Sequence, residues 1–170
     1  YLTGTLLLFR TKLFLNNSQR RYTSGMSQRF TYIGAGYLFL IKDNNILLQR
    51  RFNTGFMDGF YGVPAGHLDG NETAREGAAR EFREEIGIEV QPEDLKVVHT
   101  MHRKAISDER IDFFMTTERY LGNVENKEPH KCDDLSWFPV DNLPENTVDY
   151  VRVAIGAFLR NEPYSEFGWN

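Results

Sequence analysis

The sequence predicts an α/β fold, a mixed sheet with helices packed against it. Three observations carry this. Residues 30–51 read as two apolar strand segments around the polar turn Lys42-Asp43-Asn44-Asn45, the pattern of a hairpin. Residues 73–86 carry an apolar stripe of helical period. Residues 95–140 return to strand patterning before a final helical segment of about 148–159.

Each element has a local reason. The first strand, TYIGAGYLFLI, mixes small and large apolar residues; Ile46 to Arg51 returns as its partner. A glycine- and aromatic-rich loop spans Phe52 to Phe60, and Tyr61 to Gly66 follows as a short strand and turn that Pro64 helps to end. Thr73-Ala74-Arg75-Glu76 has the form of a capping box, and Gly87 suits the left-handed residue that closes a helix. Between them Ala78, Phe82 and Ile86 line one face. Leu95 to Arg103, Arg110 to Tyr120 and Leu135 to Val140 are the later strands, and Asn146 stands where the last helix needs a cap. Mid-helix Gly77 costs about 1 kcal/mol relative to Ala, so a close contact with the sheet is expected there.

With 170 residues, 41% of them hydrophobic and 26% charged, the chain has the make-up of one globular domain. A net charge of -4 argues against a general binder of nucleic-acid backbone. A single cysteine, Cys132, excludes an internal disulfide and a Cys-rich zinc site. No apolar run has the length of a membrane span. Residues 1–29 hold five basic residues and no acid. Three readings stand side by side for them: a transit-like segment, an appended extension upstream of Met26, or an extra packed element around Leu6 to Leu15. The domain proper is expected at 30–165. Its place is the cytoplasm, or an organelle if residues 1–25 act as a transit segment.

The chemistry concentrates on the helix. Glu81, Glu84 and Glu85 share one face at i, i+3 and i+4, with no basic residue four positions on to offset them. A solvated acidic face is the ordinary use of such a run. The alternative is a hard divalent cation with oxygen ligands, Mg²⁺ or Mn²⁺. The surroundings favour the second. Gly66, Glu72, Arg80, Glu81, Phe82, Glu84, Glu85, Gly87 and Ile88 fill every specified slot of G-x5-E-x7-R-E-U-x-E-E-x-G-U, where U is bulky and apolar. This stretch resembles the Nudix box, the signature of the Nudix hydrolases, and the resemblance extends over about Phe30 to Arg160.

The resemblance implies a Nudix-type α/β/α sandwich with a mixed β-sheet. It implies metal-dependent hydrolysis of a diphosphate bond within a small nucleotide, with no nucleic-acid polymer and no membrane as partner. By the same resemblance Glu81, Glu84 and Glu85 hold Mg²⁺ (or Mn²⁺) together with the Gly66 carbonyl, and Glu72 with Arg80 forms a structural clamp. Glu128, in the loop after the box, matches a further catalytic carboxylate. Arg51 matches a phosphate-contacting arginine of the MutT-like branch, and Asn146 a purine-reading residue. The hairpin, the Arg50-Arg51 pair and the Leu-Pro-Glu-Asn segment look most like the MutT-type enzymes, which cleave a nucleoside triphosphate, including oxidised purines, to monophosphate and pyrophosphate. Residues 103–106 lack the proline or tyrosine marks of the ADP-ribose and dinucleoside polyphosphate hydrolases. The alternatives are a hydrolase of another nucleoside diphosphate derivative, such as a sugar nucleotide, and a Nudix-fold module that binds without turnover. His99 and His102, three apart on a strand, point to opposite faces and make poor metal partners.

Overall fold

The computed structural model describes residues 29–169. The readings made for the amino terminus fall on residues 1–28, outside the described ones. The elements are β1 (Ile33–Leu38), β2 (Ile41–Lys42), β3 (Asn45–Arg51), β4 (Tyr61–Gly62), β5 (Ala65–His67), α1 (Ala74–Ile86), a 3₁₀ turn (Pro92–Asp94), β6 (Lys96–Lys104), β7 (Glu109–Thr116), β8 (Cys132–Pro139), α2 (Asp149–Leu159) and β9 (Tyr164–Phe167). No described helix is long and apolar enough to cross a membrane.

The strands form two sheets. One is mixed, in the order β5-β1-β7-β6-β9, with β1 parallel to β7 and β9 parallel to β6. The other joins β2, β3 and β4, with β8 on the second edge of β3. The β2–β3 hairpin turns on Asp43 and Asn44, both in the left-handed region at φ 49° and 60°. Two consecutive positive φ values match the twist of the flanking strands, and Asn and Asp tolerate them.

Alternation along the strands explains the layering. Tyr37, Phe39, Ile46, Leu48 and Phe114 belong to a core shared with Val151, Ala154 and Ile155 of α2. Their neighbours Leu38, Leu40, Leu47 and Met115 belong to a second core with Ala78, Phe82 and Ile86 of α1. Adjacent residues thus serve opposite faces, as the period of two requires. The result is sheet between helices, the expected α/β/α arrangement.

Helix α1 starts as its capping box directs. The Glu76 amide donates to Thr73 Oγ1 at 3.3 Å, and the Thr73 amide to Glu76 Oε2 at 2.8 Å. Gly87 ends it at φ 73°. The helix meets the sheet at Gly36, where an added Cβ would stand 2.8 Å from that of Ala78. The close contact expected for Gly77 lies elsewhere: a Cβ there would meet Glu72 Oε1 at 2.6 Å and Leu68 Cδ2 at 2.8 Å, in the loop before the helix.

Three further expectations need correction. β7 ends at Thr116 rather than Tyr120. The residue before α2 is Val148, with no side-chain cap, so Asn146 does not cap that helix. β9 lies beyond the segment read as the last element, because four residues with little apolar patterning are held by backbone pairing to β6.

The Gly36–Ala78 contact generates a prediction. Gly36→Ala overpacks the helix–sheet interface and lowers stability by about 1–3 kcal/mol. Combined with Ala78→Gly it should cost less than the two single changes added together, because one methyl then replaces the other. Chemical denaturation of the four proteins checks this; simple additivity would place the strain elsewhere.

Candidate active site

The loop and helix of the signature sequence fold into one clamp. Arg80, which lies at the flank of the acidic face in the sequence, reaches back across the loop. Its Nη2 donates to Glu72 Oε1 at 2.9 Å and to the His67 carbonyl at 3.3 Å, while Nε is 3.4 Å from Glu72 Oε2. Glu72 Oε1 also accepts from the Asp69 amide at 2.6 Å. These bonds, the guanidinium first, hold the Glu72 carboxyl below its ordinary range. The clamp fixes β5 and the following loop against the start of α1.

Arg80 also corrects the picture of a bare acidic cluster. Its Nη1 donates to Glu81 Oε1 at 2.7 Å and lies 3.7 Å from Glu84 Oε2. Two of the three carboxylates therefore already share one cation. Glu85 does not. It makes no ion pair within 4 Å among the described residues, and its Oε2 accepts from the Ala65 amide at 2.8 Å and from Gln49 Nε2 at 3.1 Å. The residue as a whole keeps some exposure, but its carboxylate is enclosed between β3 and β5. Burial pushes the Glu85 carboxyl up to about 7, against the two hydrogen bonds and with the help of the Glu81 and Glu128 charges.

Gly66 is required by Glu81. A Cβ at position 66 would sit 1.9 Å from Glu81 Cδ, far inside van der Waals contact, so only glycine lets the carboxylate lie against the β5 backbone.

Glu128 arrives from the long loop before β8. That loop docks on the end of α1, where the amides of Glu125 and Lys127 donate to the carbonyls of Ile86 and Glu85 at 3.0 and 2.9 Å. Asn126 then fixes the turn, accepting from the Glu128 amide at 3.0 Å and donating to the Cys132 carbonyl at 2.6 Å. The Glu128 carboxylate is close enough to raise Glu85, and accepts from Lys131 Nζ at 2.7 Å.

A cavity of ≈ 780 Å³ runs along this surface. Gly66, Glu81, Glu85 and Arg51 are among its walls; Glu72, Arg80, Glu84, Glu128 and Asn146 are not. The side chain of Glu84 is 49% exposed. Arg51 is tied to its own loop: Nε donates to the Phe56 carbonyl at 2.7 Å, and the guanidinium lies 5.4 Å over the Phe56 ring. Asn146 Nδ2 donates to the Gly59 carbonyl at 2.6 Å, at the other end of that loop. Phe52, Phe56 and Phe60 in the loop are exposed rather than packed inside. Of the two histidines, His99 is buried against Phe114 and bonds the Glu162 carbonyl and Ser165 Oγ, whereas His102 contacts Trp169.

Sequence reasoning missed Gln49, Lys131 and the buried Arg103–Asp112 pair on β6 and β7. Arg103 Nε donates to Asp112 Oδ2 at 2.6 Å, with side-chain exposures of 5% and 0%. Opposite charges inside two apolar strands were the available signal. Their meaning depends on the β6–β7 register, in which Met101 faces Asp112 and Arg103 faces Arg110.

Comparison with known proteins adds the lineage. A family model described as NUDIX domain matches residues 32–159, three quarters of the chain. The chain belongs to the NUDIX family. A relative described as 8-oxo-dGTP diphosphatase, from Proteus vulgaris, is 35% identical over 95 residues, covering 55% of this chain and 81% of its own. One described as NAD-capped RNA hydrolase NudC, from Stutzerimonas stutzeri (strain A1501), is 26% identical over 117 residues. That match covers 69% of this chain but only 40% of the relative's length. Among solved structures, a MutT NUDIX hydrolase from Burkholderia pseudomallei superposes with a TM-score of 0.68 at 22% identity, over 74% of this chain and 97% of that one. This NUDIX chain is thus a member of a pyrophosphohydrolase family whose enzymes act on small nucleotides and generally use a divalent metal.

The donor set suits such an ion. Among the described residues, no three His, Cys, Asp or Glu side chains converge into a metal cage. Mg²⁺, however, is commonly held by one or two carboxylates with waters and substrate phosphates, not by an all-protein cage. An enclosed carboxylate without a cationic partner, Glu85, beside the cavity-facing Glu81 meets that requirement.

Glu85 gives a prediction for the metal-free protein. Its carboxyl is raised in the folded state, so folding favours the protonated form. Stability from this group is complete below the ordinary carboxylate value of 4.5 and is lost as pH climbs through about 7. Glu85→Gln keeps the acceptor for Ala65 without the charge. In chelator it should be more stable than the parent by ~1–2 kcal/mol at pH 8, with little difference at pH 4.5. Denaturation at the two pH values tests this, and a loss of stability at pH 8 would contradict it.

Proposed function

We propose that this chain is a metal-dependent nucleoside triphosphate pyrophosphohydrolase that releases monophosphate and pyrophosphate and accepts purine, including oxidised purine, substrates. The observation that carries the reading is Glu85, enclosed without a cation beside Glu81 on the wall of a cavity large enough for a nucleotide. The likeness to the Proteus vulgaris relative supports the purine triphosphate class.

In this reading Glu81, Glu84 and Glu85, with the Gly66 carbonyl, hold Mg²⁺ or Mn²⁺. When bound, the ion neutralises charge on the polyphosphate oxygens and lowers the proton affinity of coordinated water. The chain's own groups do the rest. Arg80 and Glu72 keep the loop and helix in register, so that the carboxylates need no rearrangement during reaction. A water oxygen attacks one phosphorus, the bridging P–O bond breaks, and the proton of the water passes to a cavity carboxylate. Glu128 supplies a carboxylate from the loop side, held in place by Lys131. Arg51 and Asn146 act from the two ends of the 52–60 loop, the first on phosphate and the second on the base.

A second reading, hydrolysis of another nucleoside diphosphate derivative, is favoured by the volume of the cavity, ≈ 780 Å³, and by the spread of substrates named for the relatives.

The test is product release from a panel of nucleoside triphosphates, ADP-ribose, NAD and a sugar nucleotide, with Mg²⁺, with Mn²⁺ and in excess chelator. Turnover should be greatest with purine triphosphates, vanish in chelator and return with metal. Glu84→Gln and Glu85→Gln should each lower kcat by about 10²-fold or more while the protein stays folded. Full activity in chelator would refute the proposal, and turnover confined to the diphosphate derivatives would favour the second reading.

A further inference from the structure

Arg103 is held more firmly than its ion pair requires. Nε and Nη2 face the Asp112 carboxylate at 2.6 and 3.4 Å, Nη2 also donates to Tyr37 Oη at 3.2 Å, and the guanidinium lies 4.0 Å from the Tyr150 ring centroid. A guanidinium has five N–H donors. These contacts use the Nε proton and the two on Nη2; Nη1 makes no hydrogen bond to another described residue. Nor is Nη1 sealed away, since the one enclosed side-chain nitrogen or oxygen without a partner among the described residues is His102 Nε2. Arg103 lines the cavity that also holds Glu81 and Glu85. Nη1 therefore presents its two donors to that space.

The chemistry around it selects a ligand. The positive charge is already matched by Asp112, so Arg103 offers a directed donor and little net attraction for phosphate. Ala35, Val148, Val151 and the rings of Tyr37 and Tyr150 also line the cavity. The cavity is lined elsewhere by charged residues, among them Arg51, Asp108, Arg110 and Lys131. These apolar and aromatic residues, together with the fixed Arg103 donor, are the part of its lining that suits a flat neutral heterocycle carrying an acceptor. A solely structural role leaves the pair unexplained, because a buried ion pair is commonly no more stabilising than apolar residues of the same volume.

We propose that Arg103 is a specificity-determining residue that reads the substrate base, favouring a purine with an oxo group at position 6 over one with an amino group. The proposal rests on the nucleotide hydrolase reading above. The oxo group accepts from Nη1, whereas an amino group turns a donor toward a donor and leaves both unsatisfied.

ITP and ATP provide the test, because their bases differ only in the group at position 6 and in the proton that hypoxanthine carries on the adjacent N1. The ratio of kcat/KM for ITP over ATP should be about tenfold or more in the parent protein. It should fall to about one in Arg103→Gln combined with Asp112→Asn, a pair of changes that leaves no charge buried alone. Arg103→Lys, which retains the charge but not the fixed fork, should lower the ratio too. A parent ratio near one overturns the proposal whether or not the variants fold. Equal proportional losses on both nucleotides in the variants overturn it as well and mark Arg103 as a structural or phosphate contact. Calorimetric binding of ITP and ATP to the Glu85→Gln protein with Mg²⁺, in which turnover is slowed, should show a preference in the same direction. A binding preference without hydrolysis in the parent would sink the hydrolase reading alone; hydrolysis without preference would sink this inference alone.

Discussion

The position of the Glu81 carboxylate against the backbone of Gly66 is the constraint on which the rest depends. Helix α1 packs on the sheet through Ala78, Phe82 and Ile86, and these three set its rotation. With the rotation fixed, residue 81 faces β5, where a side chain on residue 66 would occupy the same volume. The small residue in the strand, the apolar stripe on the helix and the acid on the cavity wall are one packing solution. The Arg80–Glu72 clamp then locks the loop that joins the two partners.

This explains why the site's electrostatics are uneven. Arg80 sits at one end of the acidic turn and reaches Glu81 and Glu84, whereas Glu85 is carried a further quarter-turn inward under β3 and β5. Enclosing a carboxylate there without a cation costs folding free energy, which two hydrogen bonds only partly offset. Local strain of this type is characteristic of sites that are completed by a ligand.

Legibility in the sequence follows sequence distance. The capping box, the Gly87 terminus and the shared face of Glu81, Glu84 and Glu85 all lie within one helix, where spacing dictates geometry. The Asp43-Asn44 turn is equally local. The two-sided core rests on the apolar runs Tyr37 to Leu40 and Ile46 to Leu48, whose successive residues alternate between its two faces. What escaped needs register between distant strands. Gln49 meets Glu85 only because β3 runs beneath the end of α1, and Arg103 finds Asp112 only across the β6–β7 pair. The Arg80–Glu72 clamp was legible, but not the reach of Arg80 to the acidic face: its side chain is long enough to pair with Asp69, Glu72, Glu81 and Glu84 together. Asn146, read as a cap, is taken up by Gly59 because Val148 begins the helix after an extended backbone.

The late strand β9 has a consequence for solubility. It covers the outer edge of β6 by parallel pairing from Thr100 to Arg103, opposite Tyr164 to Phe167. Without it, a strand of nine residues, already paired to β7 on one side, would present a row of unsatisfied amides and carbonyls on the other. A second molecule in the same state offers a complementary row. Cleavage after α2 would therefore turn an interior strand, the one that bears Arg103, into a template for edge-to-edge association, with helix α1 itself untouched.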